Sequence, residues 1–303
     1  RAFLCGIDRQ TGKSYEHRRA WIEDRVRVLS SLVSIDLCAY AVMRNHYHLV
    51  VKLNSSEPAT WSDDQVLNRW TALFQGPLLV QRYRAGEPLS AAEQETVRSI
   101  VAVYRERLGS LSWFMKCLNE PIARQANSED HCTGHFWEAR FRSQSLRSEQ
   151  ALIAAMAYVD LNPVRAQIAE TPEASEYTSI RARLKGNYCE RVQNGPVAGM
   201  LERGELRHFD SPIRPLLGFA NSSCEQPDGI PRPVDTLPIR QQDYLQLVDM
   251  TGRFAADGKR GRIDSALEPI LLRLGLSAAQ WTLASTAFGQ HYRNGDLRTQ
   301  KSA

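Results

Sequence analysis

Ala41-Val42-Met43-Arg44-Asn45-His46-Tyr47-His48-Leu49-Val50 is the stretch that decides how this 303-residue chain is read. Ile35 to Val42, leading into it, is short, apolar and strand-like. The polar Met43-Arg44-Asn45 segment can turn the chain, and His46 to Leu53 alternates as a second strand, so the pattern predicts a β-hairpin. Side chains alternate along a strand, which puts His46 and His48 on one face and Tyr47 on the other. At the usual rise per residue the two histidine Cα atoms are about 6.5–7 Å apart. Imidazoles at that spacing can converge on one divalent cation. The competing reading is two histidines on a solvated strand face.

Downstream, Ser148-Glu149 opens a helix expected to run to about residue 161 and to stop near Asn162, because Pro163 disfavours a helical residue before it. Leu152, Met156 and Val159 form its apolar stripe, with Ile153 beside them. At 3.6 residues per turn Tyr158 points about 140° away from that stripe, and Asn162, four residues on, shares its side. A phenol and a carboxamide are thus expected together, off the core face. The plainer alternative packs Tyr158 against a second layer and uses Asn162 as a helix cap.

Around these two segments the chain reads as ordinary helices. Residues 16–33 form an amphipathic helix with Ile22, Val26, Leu29 and Val33 inward, and Arg18 and Arg19 read as solvated surface. Ser62 caps a helix with Asp63 and Asp64 in its first turn, Gly76-Pro77 breaks the segment, and Ser90-x-x-Glu93 is a capping box for a helix to about Leu108. A further helix starts near Ser112, with Pro121 kinking or breaking it, and Trp113, Phe114 and Met115 read as core. His135 to Leu146 reads as a strand. After about residue 187 the texture changes. Residues 209–238 are proline-rich linker or irregular wrap, and 239–253 and 263–292 are helical. Lys259, Arg260 and Arg262 precede a helical pair, 263–274 and 277–288, that reads as a helical hairpin on the core or a helix-turn-helix.

Taken in order, three of these segments resemble one family. Asn45-His46-Tyr47-His48 resembles the His-hydrophobic-His motif of the HUH single-strand nucleases. The run Ala157-Tyr158-Val159-Asp160-Leu161-Asn162-Pro163-Val164-Arg165 resembles the tyrosine helix of the REP-associated tyrosine transposases. His135-Phe136-Trp137-Glu138-Ala139-Arg140-Phe141 is similar to the strand before it. The resemblance covers residues 1–187 and implies an α+β fold: a ferredoxin-like antiparallel sheet of four strands with helices on one face. It implies Tyr158 as nucleophile, and His46, His48 and Asn162 as ligands of Mg²⁺ or Mn²⁺. It also implies a first strand ahead of the run that begins at Arg1. Residues 54–110 are then a helical insertion, and 188–303 a linker and mostly helical extension without counterpart in the smallest members.

The implied chemistry is cleavage and rejoining of single-stranded or hairpin DNA through a 5′-phosphotyrosine link. A phenol ionises only near pH ~10 and needs its surroundings to help. A divalent ion on the scissile phosphate would supply Lewis acidity and orientation. The covalent link conserves bond energy, so no nucleotide cofactor is required, and no phosphate-cradling Gly-rich loop occurs. Arg140, Arg142 and Arg147 with Trp137 and Phe141 supply the basic and aromatic groups a DNA track needs. Two rivals remain: a zinc hydrolase using His46, His48 and a third ligand such as His135, and a DNA or RNA hairpin binder without activity.

Composition sets the outer bounds. Net charge is +4 and six cysteines are scattered without a Cys-x-x-Cys pair. This pattern argues against a zinc knuckle and for a reduced, cytoplasmic setting, which for a DNA partner means the bacterial nucleoid. No apolar run is long enough for a membrane span. Monomer and homodimer both remain open.

Overall fold

The computed structural model describes residues 4–8, 10–186, 193–220, 236–254 and 261–274. It is a mixed α+β structure built around one antiparallel hairpin, β1 (Ile35–Val42) and β2 (Tyr47–Leu53). Ile35 pairs with Leu53, Ala41 with His48 and Val42 with Tyr47, and an irregularity between Leu37 and Ala39 lets Cys38 bulge. Met43 N–H donates to the His46 carbonyl at 2.8 Å and closes the turn. His46 therefore sits in the turn, one residue ahead of the strand in which the alternation had placed it.

All of β1 except Asp36 is buried. A strand covered on both faces reads as a continuous apolar run, which is why its sequence lacks alternation. Leu37, Tyr40 and Val42 enter one core, with α1 (Arg18–Leu32) and α6 (Leu111–Glu129). Cys38, Ala39 and Ala41 enter a second core, with α7 (Glu149–Arg165). The hairpin is thus a wall between two cores. Of the four strands implied by the resemblance, the described residues contain these two, and no further strand pairs with the outer edge of β2 among them. The far edge of β1 is met by irregular backbone. Val42 N–H donates to the Tyr177 carbonyl, and Leu217 N–H donates to that of Leu37, both at 3.0 Å.

Residues 54–110 are mostly helical, as expected, with α3 (Asp63–Leu73), α4 (Leu78–Arg84) and α5 (Ala91–Leu108); the stretch 54–61, whose sequence reads as loop, carries the short α2 (Glu57–Thr60). Ser62 with Gln65 and Ser90 with Glu93 form complete capping boxes, so each helix start satisfies two of its orphan N–H groups locally. Phe114 and Met115 are buried, while Trp113 is half-buried beneath Arg107 and Lys116. Beyond α8 (Ser179–Lys185) and α9 (Ala198–Glu202), the proline-rich stretch is an irregular wrap that buries Ile213, Leu216 and Phe219. Its residues 221–235 lie outside the described set. The helix expected at 239–253 is α10 (Gln241–Arg253). Of the expected 263–292 helical region only α11 (Ile270–Arg273) is helical among described residues; 263–269 are irregular, and 275–292, with Lys259 and Arg260, lie outside them.

Two expectations fail, and of the two alternatives for Pro121, breaking of the helix is excluded, each for a physical reason. His135 to Leu146 is not a strand: the stretch is irregular, and no ladder bonds hold it to β1 or β2. Neither proline ends its helix. Pro121 sits inside α6, where it lacks an N–H for the Cys117 carbonyl; Arg25 Nε donates to that carbonyl instead, at 2.7 Å. Pro163 sits inside α7, which continues to Arg165 and is capped by later backbone: Gly261 N–H donates to the Arg165 carbonyl at 3.3 Å. A Cβ at Gly261 would come within 1.9 Å of the Val164 carbonyl oxygen, so only glycine fits this approach.

The arginines of α1 are likewise not solvated surface. Arg18 is 0 % exposed; its Nε donates to Glu129 at 2.9 Å, its Nη2 to Asp130, and its plane lies over Tyr15. Arg19 is buried and pairs with Glu16 at 2.8 Å. Arg27 donates to Glu23 at 2.9 Å and to the Tyr40 hydroxyl at 2.7 Å, and that hydroxyl donates to Glu23 at 2.6 Å. Removing one partner of a buried ion pair leaves the other charge uncompensated and costs about 3–5 kcal/mol. Glu23→Ala is accordingly expected to lose about 3 kcal/mol in urea unfolding and Tyr40→Phe about 1–2 kcal/mol. A Glu23→Ala protein as stable as the parent would refute the assignment of Arg27 to this pair.

A second cluster ties the wrap to β1. Arg214 donates to Asp36 at 2.8 Å and to Glu57, while Ser34 Oγ donates to Glu57 at 2.9 Å. Burial raises the Glu57 carboxyl, but the hydrogen bond and charge of Arg214, with Ser34 and Arg69, outweigh it and hold the group below its ordinary value. A depressed carboxyl stabilises the fold above its unfolded pKa, and that contribution is lost as pH falls through the folded value. Arg214→Met should therefore flatten the acid limb of a stability curve taken from about pH 6 to pH 3. A limb as steep as the parent's would show that Glu57 does not titrate through Arg214.

Candidate functional site

The alternation of β2 builds the site. Tyr47, Leu49 and Val51 face the α1/α6 core, whereas Val50 faces the α7 core. His48, in phase with Val50, therefore points toward α7, where its ring meets that of Tyr158 edge-on with centroids 5.7 Å apart. The opposing β1 residues, Ala39 and Ala41, are small and let α7 lie close to the hairpin. Tyr158 is 52 % exposed and faces away from the buried stripe of its helix, as its position in the sequence implied.

His46 and His48 come together although His46 precedes the strand. Their Nε2 atoms are 3.1 Å apart and their rings stand at 86°. His46 Nδ1 lies 2.7 Å from Asn45 Oδ1. That oxygen can only accept, so Nδ1 carries the proton and the lone pair of neutral His46 is on Nε2. Donors about 2.1 Å from one cation in adjacent octahedral positions are about 3.0 Å apart, so the two nitrogens fit a shared divalent ion. The same spacing suits an N–H···N bond from His48. Asn45 was within the quoted motif, yet its orienting role depends on a turn geometry that the sequence does not specify.

Asn162 is not beside the phenol. It is 4 % exposed, and its Nδ2 donates to the Tyr158 backbone carbonyl at 3.1 Å. Because α7 continues through Pro163, Asn162 lies inside the helix rather than at a frayed end, and it does not line the cleft. Among the described residues no three His, Cys, Asp or Glu side chains come together to hold a metal ion, so His135 does not complete a zinc triad with His46 and His48. Cys5, Cys38, Cys117 and Cys132 are free thiols.

The histidines and Tyr158 open into a cleft of about 1310 Å³ bounded by β2, the 137–149 stretch and α7. Arg140, Arg142 and Arg147 line it, are exposed, and form no ion pair among the described residues. Glu138 and Glu149 also line it and partly offset their charge. Of the two aromatics expected to face DNA, Phe141 is exposed. Trp137 is half-buried against Tyr47, and its indole N–H donates to the Asn119 carbonyl at 2.9 Å. Asn119 also accepts from the Tyr47 hydroxyl at 2.5 Å, which makes it the fastening point of the irregular stretch. Nothing in the sequence marks Asn119 for this role.

Comparison with known proteins finds no matching family model, no matching curated protein and no matching solved structure. Among the described residues no helix is long and apolar enough to cross a membrane. The fastening at Asn119 is open to direct measurement. Asn119→Ala leaves the buried Tyr47 hydroxyl without its acceptor, at a cost of about 1–3 kcal/mol. Trp137→Phe, which removes the indole N–H that reaches the Asn119 backbone carbonyl, should speed proteolytic cutting within 136–147; unchanged cutting would show that the stretch is held elsewhere.

Proposed function

We propose that this chain cleaves and rejoins single-stranded or hairpin DNA, with Tyr158 as nucleophile and His46 and His48 as ligands of Mg²⁺ or Mn²⁺, as in the tyrosine transposases its motifs resemble. The observation that carries this reading is the meeting of a half-exposed phenol with two converging imidazoles in one cleft. The finer fold assignment, a ferredoxin-like sheet, belongs to the same reading.

Each part of the chain has a defined task in this chemistry. The exposed arginines of the 140–147 stretch would hold the phosphates of an unpaired strand, and Phe141 would stack on a base. Asn45 keeps His46 in the tautomer that presents Nε2 to a cation. Bound there, the ion would neutralise charge on the scissile phosphate and orient it. The Tyr158 oxygen attacks phosphorus, an O–P bond to tyrosine forms, and the bond to the 3′ oxygen breaks, leaving a 3′-hydroxyl after proton uptake. Reversal rejoins the strand without a nucleotide cofactor.

One observation favours a second reading, binding of nucleic-acid hairpins without cleavage. Asn162 is buried and turned toward its own helix, so of the three ligand positions in the family pattern two face the cleft among the described residues. An adduct assay separates the two. End-labelled hairpin DNA incubated with protein and Mn²⁺ or Mg²⁺ is expected to give a labelled protein band on a denaturing gel. The band should require metal and vanish in Tyr158→Phe, while affinity for DNA stays within about twofold. His46→Ala and His48→Ala should each cut the adduct rate by about a hundredfold or more. Adduct formation that survives Tyr158→Phe would overturn the nucleophile assignment; a native-gel shift without any adduct would establish the binder.

A further inference from the structure

Tyr158 makes no side-chain hydrogen bond among the described residues, so its place beside His48 is set by the helix that carries it. That helix is apolar on nearly every side: Ala151, Ala154, Ala155 and Ala157 accompany Ile153, Met156, Val159, Leu161 and Val164. Apolar contact is non-directional and specifies rotation about the helix axis poorly. Of the two buried polar side chains on α7, Asn162 bonds its own helix and Asp160 reaches other elements. Asp160, 1 % exposed, accepts from Ser179 Oγ at 2.6 Å, from the Ile180 N–H at 3.1 Å and from the Tyr244 hydroxyl at 2.6 Å. Two donors come from the start of α8 and the third from α10. Any rotation of α7 breaks one of these bonds where water cannot replace it. Tyr244 is itself fully buried with its ring against Phe219, and α10 is tied to α7 again where Arg165 donates to the Thr251 carbonyl at 2.7 Å.

We propose that Tyr244 is a positioning residue for Tyr158: through its hydrogen bond to Asp160 it fixes the rotation of α7 and thereby the seat of the phenol beside His48. The kinetic part of this proposal rests on Tyr158 being the nucleophile; the geometric part does not. Asp160 follows Tyr158 by two residues, about 200° around the helix, so the clamp and the phenol lie on opposite sides and turn together. A side chain tip roughly 5 Å from the axis moves roughly 2 Å for a 20° rotation. A displacement of about 1 Å at a reacting group costs on the order of a hundredfold in rate.

The experiment uses the whole chain with carbon-13-labelled histidine. The His48 ring resonance, identified by its absence in His48→Gln, reports the nearby Tyr158 ring. In Tyr244→Phe, which keeps the ring and loses only the hydroxyl, this resonance should move toward its position in Tyr158→Ala. The adduct rate should fall at least about tenfold with DNA affinity within about twofold. Ser179→Ala, which removes another donor to the same carboxylate, should act in the same direction and serves if Tyr244→Phe does not fold. Val97→Ala, a cavity on α5 in the other core, should lower the melting temperature without moving the resonance or the rate. An unmoved His48 resonance in folded Tyr244→Phe or Ser179→Ala overturns the proposal. If the parent protein forms no adduct, the nucleophile reading fails and the resonance alone decides the positioning.

Discussion

The pairing of β1 with β2 organises the rest of the molecule, because β1 is buried on both faces and so has to serve two cores at once. Strand alternation sends Leu37, Tyr40 and Val42 to one side and Ala39 and Ala41 to the other. The first side is built of large groups and takes α1 and α6. The second is built of small groups and admits the backbone of α7. The register then fixes where β2 presents its side chains, since Ala41 pairs with His48. A one-residue slip would send His48 into the first core and remove it from Tyr158.

Charge is used in two different ways. In the body of the protein arginine is structural: Arg18, Arg25, Arg27 and Arg214 are buried or nearly so and each meets a carboxylate. Arg25 also takes the carbonyl that Pro121 leaves without a donor. Such groups are held because leaving any of them alone in the interior would cost more than the pair gains. Along 140–147 the arginines face solvent in the cleft, where their charge is available to an anion. The modest net charge of +4 conceals this division.

The C-terminal part is joined to the tyrosine helix rather than appended to it. Leu237, Tyr244, Val248, Ile263 and Ile270 share a core with Met156, Leu161 and Val164. A Cβ at Gly252 would lie 2.5 Å from Ile263 and 2.9 Å from Leu161, so α10 and α7 touch at a point where glycine is needed for close packing. Burial raises the Asp160 carboxyl and raises the Tyr244 phenol well above its ordinary value, both consequences of removing this contact from water.

The sequence by itself determined whatever depends on near neighbours along the chain. Capping residues Ser62, Ser90 and Ser148, a hairpin turn over Met43–Asn45, the break at Gly76-Pro77 and the outward phase of Tyr158 are local, because their hydrogen bonds or angles involve residues a few positions apart. The meeting of two histidines was also legible, since residues two apart in sequence cannot diverge far even with His46 in the turn and His48 on the strand. Only the tertiary structure decided the remainder. Pro121 stays inside its helix because a distant group, Arg25, satisfies the carbonyl it leaves open, and α7 runs past Pro163 to an end where the Arg165 carbonyl accepts from the distant Gly261. The stretch 135–146 is irregular because its anchor is Asn119 on α6 rather than a neighbouring strand. These outcomes rest on partners far away in sequence, and periodicity carries no information about which distant donor will arrive at an unpaired carbonyl.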